Sequence, residues 1–217
     1  MAHAVPRRGA LAGLLALGAC AVVVPFDDAA LAPVRRGEQA AVLLRFVVTD
    51  EEGKDIPPFA HALGDDSLGL AMGDFDTGGL PTRRVVPTRF ASTASQAEGT
   101  VILLLPPGYH YLVIQGARRT DALTYDARFA RTPRWRIAVP PGVAVVYAGS
   151  FRLRAKAIHL LFGDTVIGEV DQEATVVQDE AAWARSAAAR DLPTLPAPMT
   201  RLAVRHTGPV LLGLPPG

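Results

Sequence analysis

Residues 137–154 read IAVPPGVAVVYAGSFRLR. Ile137 and Val139 end an alternating run that begins at Trp135, with Arg134 and Arg136 between the apolar positions. After Pro140-Pro141-Gly142, a period of two puts Val143, Val145, Tyr147, Phe151 and Leu153 on one face and Arg152 and Arg154 on the other. Side chains of a strand alternate sides, so the stretch predicts two strands, each with one apolar face. Proline fixes φ and lacks an N–H, and glycine admits positive φ, so the tripeptide between the strands predicts a sharp turn.

The same signals extend in both directions. Upstream, LLLPPGYHYLVI (103–114) repeats strand, Pro-Pro-Gly and strand, and a third Pro-Pro-Gly closes the chain at 215–217. Residues 101–105 (VILLL) are apolar on both faces, which predicts a central strand. In 109–114, Tyr109, Tyr111 and Val113 alternate with His110, Leu112 and Ile114. In 42–48, Val42, Leu44, Phe46 and Val48 share a face and Arg45 lies on the other. TDEEGKD (49–55) is a turn between strands, and ATVVQ (174–178) is a further strand. One helix follows it. Asp179 can cap it, Glu180 suits its first turn, AAWARSAAAR is rich in helix formers, and Leu192-Pro193 stops it. Its apolar stripe is mostly Ala with Trp183, so the helix is expected at the edge of the domain. VLLGL in the tail (199–217) is expected as an edge strand. Segments 21–39, 61–80 and 116–133 have no clean period: the first reads as a tether, the second as a loop or short strands, the third as a long excursion. The fold class is therefore mainly β, with half-buried strands of the kind found in antiparallel sheets with one wet face, and one short C-terminal helix.

Specific motifs sharpen this. LPPGYHYLVI (105–114) resembles the strand pair of transthyretin-like and carboxypeptidase-regulatory-like β-sandwiches. VPPGVAVVYAGSFRLR (139–154), followed by VVQDEAAWARSAAAR (176–190), is similar to bacterial lipoproteins of related fold. The resemblance spans about residues 99–192. It implies an antiparallel transthyretin-like sandwich with Greek-key character, an accessory or binding role, and no shared catalytic residues.

The first twenty residues, MAHAVPRRGALAGLLALGAC, have the layout of a signal peptide. Arg7 and Arg8 supply the positive region, and Ala10 to Leu17 is an apolar run too short to span a bilayer, which takes about 20 residues. Leu17-Gly18-Ala19-Cys20 resembles the lipobox of bacterial lipoproteins. That resemblance implies cleavage before Cys20 and acylation of it. Two or more acyl chains anchor a protein stably where one does so only marginally. Cys20 is the single cysteine, so lipidation leaves no thiol for a disulfide, a metal or catalysis. Ala21 stands where an Asp often signals inner-membrane retention in enteric bacteria, which points to the outer membrane. The expected organisation is a signal peptide (1–19), a lipidated tether (20–39) and one β-sandwich domain (40–217).

The chain has 217 residues, 49% of them hydrophobic, with 22 basic and 21 acidic side chains. This composition excludes a disordered chain and a disulfide-rich mini-protein. The near-neutral balance excludes a strong field for nucleic acid. All basic residues except Lys54 and Lys156 are Arg, and they are scattered.

Few residues suggest chemistry. Phe75-Asp76-Thr77-Gly78 matches the hydrophobic-Asp-Thr-Gly signature of aspartic proteases, but occurs once, where two carboxylates must share a proton. Asp65, Asp66, Asp74 and Asp76 offer hard oxygen ligands for Ca²⁺, without the acidic spacing of a calcium loop. His61, His110, His159 and His206 stand singly, without zinc-ligand spacing. Arg118, Arg119, Arg128 and Arg131 make 116–133 the densest basic stretch, suited to anionic lipid headgroups. No Ser lies in a G-x-S-x-G elbow, and no residue pattern calls for a cofactor. The expected function is a non-catalytic, lipid-anchored envelope module that binds a protein or glycan partner. The alternatives are an envelope hydrolase using the Asp-rich loop 65–76 and a structural part of an envelope or secretion assembly.

Overall fold

The computed structural model describes residues 23–59, 68–75, 81–85, 90–115, 134–159 and 165–206. The fold is mainly β. It is built around β1 (Ala40–Thr49). One edge of β1 pairs antiparallel with β5 (Thr100–Leu105) and, further along, with β2 (Asp55–Ile56) across the expected turn. Its other edge pairs in parallel with β8 (Val145–His159). The far edge of β8 takes β9 (Thr165–Gln178) antiparallel and β10 (Met199–Thr200) parallel, completing a six-stranded sheet. The second sheet is antiparallel throughout. It runs β11 (Val204–His206), β7 (Arg134–Val139), β6 (Gly108–Gln115), β3 (Gly69–Phe75) and β4 (Pro81–Val85).

The first two Pro-Pro-Gly units connect the sheets. Pro106-Pro107 carries the chain from β5 in the first sheet to β6 in the second, and Pro140-Pro141-Gly142 returns it from β7 to β8. Gly142 takes φ 74°, as the corner requires. The His110 ring braces the other corner: its Nε2 lies 2.7 Å from the Pro106 carbonyl, which can only accept, so this nitrogen carries the proton. Because β8 starts at the end of the first sheet where β1 starts, the two run in the same direction, with Ala41 opposite Val145. The expectation of wholly antiparallel sheets is corrected accordingly: alternation marks a strand without giving its direction.

Apolar side chains form two layers. Between the sheets lie Val42, Leu44, Phe46 and Val48 of β1, Val101 and Leu103 of β5, Leu112 and Ile114 of β6, and Trp135, Ile137 and Val139 of β7. On the outer side of the six-stranded sheet, Ala41, Leu43, Ile102, Val145 and Tyr147 pack against Leu31 and Val34 of α1 (Asp28–Arg35) and against Ala184, Ala187 and Ala188 of α3 (Ala181–Asp191). The short α2 (Thr93–Ala97) precedes β5. The sheet thus has no wet face where helices cover it.

Four expectations change. Helix α1 stands where a tether was expected, and Asp27 caps it by accepting from Ala30 N at 2.8 Å. Helix α3 lies across the sheet rather than at an edge, because Ala side chains let its backbone approach closely. β5 pairs with β1 alone among the described strands, and its two apolar faces are explained by the layers above and below it. β8 does not keep one apolar face: Val145 and Tyr147 face the helices, whereas Phe151 and Leu153 face the second sheet. A bulge reverses the alternation, since Leu43 pairs with Tyr147 but Leu44 with Gly149. Gly149 has φ 114°, and a Cβ there would run into Val177 Cγ1.

Phe151 is wholly buried, stacked on Phe46 at 5.3 Å and edge-on to Trp135 at 5.4 Å. Phe151→Ala is expected to cost about 3–5 kcal/mol in denaturant unfolding. Gly149→Ala should also destabilise, by about 1–3 kcal/mol, although it adds a single methyl group. A loss below about 0.5 kcal/mol in either variant would place that residue outside the core.

Candidate functional site

Among the described residues, the most extended network of ionisable groups runs along α3. At its start, Glu180 accepts from Ser150 Oγ at 2.7 Å and Arg45 Nη1 at 2.8 Å through Oε2, and from Arg152 Nη2 at 2.7 Å through Oε1. Tyr147 joins this group: its hydroxyl lies 2.9 Å from Ser150 Oγ and accepts from Glu180 N at 3.1 Å. Burial pushes the Glu180 carboxyl up, but the hydrogen bonds from Ser150, Arg45 and Arg152 pull it below its ordinary value. Burial pushes the Tyr147 phenol up. Glu180, expected in the first turn, is itself the N-cap, and Asp179, expected as the cap, lies one residue further out and accepts from Ala181 N at 3.0 Å.

Arg45 continues the chain of contacts. Its guanidinium lies 4.8 Å over the Trp183 ring, and Trp183 Nε1 donates to Glu98 at 3.2 Å. Glu98 also receives Arg190 Nη1 at 2.8 Å. Arg190 in turn grips Asp191 through two nitrogens, at 3.0 and 2.9 Å, and that contact raises its pKa. Asp191 further accepts from Ser95 Oγ at 2.6 Å and Ser92 Oγ at 3.1 Å, which ties α3 to the cap of α2.

This belt fastens. A serine nucleophile needs a base to take its proton and a path for substrate. Ser95 and Ser150 are wholly buried, and each donates to a carboxylate that Arg also holds. The sequence shows Glu180 as a first-turn acid and no more, because its partner Arg45 is 135 positions away.

The residues singled out in the sequence fall elsewhere. Asp74 sits in β3 opposite Thr82 of β4, so the stretch 69–75 is a strand rather than a loop. Asp65, Asp66, Asp76, His61, Cys20 and Arg118, Arg119, Arg128 and Arg131 lie outside the described residues, as does VLLGL. His159 ends β8, His110 braces a corner, and the His206 ring lies 5.1 Å from Tyr111. Among the described residues, no group of three or more His, Cys, Asp or Glu is placed to hold a metal ion. On the outer face of the second sheet, Arg136 stacks over Tyr109 at 5.1 Å.

The class these observations define is a mainly β protein whose first sheet is covered by helices and fastened to them by a polar belt. Compared with protein-family models, curated proteins and solved structures, the chain matches none. Among the described residues, no helix is long and apolar enough to cross a membrane.

The belt sets a pH dependence. A carboxyl held below its unfolded value adds stability that is complete above about pH 4.3 and is lost as pH falls through the folded value. Glu180→Gln removes that contribution. Its stability should change less than that of the parent between about pH 5 and 3, measured by urea unfolding across the range. Parallel curves for the two proteins would show that Glu180 is not the group concerned.

Proposed function

We propose that the chain is a lipid-anchored envelope module, held by acyl chains on Cys20, that binds a protein or glycan partner and has no catalysis of its own. The observation that carries this reading is the order of features in the leader: Arg7-Arg8, the apolar run Ala10 to Leu17, then Leu17-Gly18-Ala19-Cys20. Ala21 favours the outer membrane, with the domain facing the periplasm or the surface. The transthyretin-like identity of the sandwich is part of the same reading. It is supported by strand-forming Pro-Pro-Gly corners that switch sheets and by a core shared between two sheets. The structural reading of the polar belt is consistent with this, since its carboxylates are saturated by Arg and Ser donors within the fold.

Cys20→Ser should move the protein from the membrane pellet to the supernatant of a bacterial lysate. The mature parent should begin at residue 20 with a mass increased by its acyl groups. A pellet unchanged by Cys20→Ser, or a parent with a free thiol and an intact leader, would overturn the anchor. Hydrolysis of envelope substrates by the purified domain, abolished by Asp76→Asn, would overturn the non-catalytic role.

A further inference from the structure

The folded body begins before the strand that was expected to open it. Val23 forms a parallel bridge with Phe90, and Val24 N donates to the Phe90 carbonyl at 2.9 Å. Phe90 is wholly buried and meets the Phe59 ring at 4.9 Å, which meets Phe46 of β1 at 6.0 Å. Val23 itself packs on the core between the sheets, and Phe26 on the core beneath the helices. The chain is therefore fixed to the body from residue 23 onward.

The reach from Cys20 follows from covalent geometry. Three residues span at most about 10–11 Å when fully extended. The headgroup zone of one leaflet is about 5–8 Å deep. By contrast, a flexible run over 21–39 would hold the body at a typical distance of about 24 Å. With the chain fixed at Val23, the body has only a few ångströms of clearance.

We infer that the body rides flush on the bilayer, with residues 23–28 at headgroup depth, an inference that rests on acylation of Cys20. The occupant of this surface is the lipid in which the chain's own acyl groups sit. Its chemistry suits that position. Val24, four positions along the chain from Cys20, is 39% exposed, and Pro25 is exposed next to it. Asp27 is engaged by Ala30 N, and Asp28 is paired with Arg35 at 2.6 Å, so neither acid faces the headgroups unpartnered. Proximity, rather than attraction between charges, holds the contact, and added salt leaves it in place.

The test uses the full-length lipidated protein in phosphatidylcholine vesicles, with a fluorophore on Val24→Cys or on Val176→Cys. Val176 is exposed on β9, across β8 from β1 and so on the side of the sheet away from β5. A headgroup-attached quencher should dim the label at 24 about threefold more than the label at 176, as expected for a probe at headgroup depth. A Gly/Ser linker of about 20 residues inserted after Ala21 should abolish the difference while the protein still floats with the vesicles. Equal quenching at 24 and 176 in protein that floats would overturn the flush seat and leave the anchor standing. Protein that does not float would overturn the anchor, and the seat with it.

Discussion

Between Ala40 and Leu44, β1 exposes almost none of its side chains to solvent. Its even-numbered residues fill the space between the sheets, and Ala41 and Leu43 fill the space beneath the helices. A fully buried aliphatic or aromatic side chain contributes about 1.5–3 kcal/mol. A strand buried on both faces contributes at every position, so both apolar layers meet on this one segment. Both its edges are also used, by β5 and β8, so residues 41–45 are paired on both sides. Neither layer could form without β1, and the helices would have no apolar face to rest on.

The way α3 is attached follows from that arrangement. Ala184, Ala187 and Ala188 bring its backbone close to the sheet, but bury little area. The polar belt supplies what the small side chains cannot: direction. Glu180 fixes the start of the helix to β1 and β8, and Asp191 fixes its end to the cap of α2. Charge-assisted hydrogen bonds are sensitive to geometry in a way that apolar contact is not. The helix is therefore held in one register over a surface that would tolerate several.

Much of the fold is legible in the sequence where one residue decides one feature. Arg45 opposite Val42, Leu44 and Phe46, and Arg134 and Arg136 opposite Trp135, Ile137 and Val139, mark the faces of β1 and β7 correctly. Leu192-Pro193 stops α3 one residue after its observed end. What is not legible depends on partners far away in the chain. The parallel pairing of β1 with β8 leaves no local trace. The bulge at Gly149 reverses a pattern that otherwise looks continuous. Helix α1 is hidden because Pro33 lies inside it and because only Leu31 and Val34 are buried. Of the candidate site, the belt was invisible, since Arg45 meets Glu180 directly and Glu98 through Trp183, across separations in the chain that leave no local pattern.

The pairing of Ala41 with Val145 also sets an order of events in synthesis. A ribosome adds about 5–20 residues per second, so β1 waits roughly 5–20 s before its parallel partner exists. Until then one edge of a strand that is buried on both faces is open, and neither layer can close over it. Strands that pair across such a distance also form slowly. The nascent chain therefore stays incompletely folded and sticky until late, the condition in which a polypeptide needs a chaperone's cover.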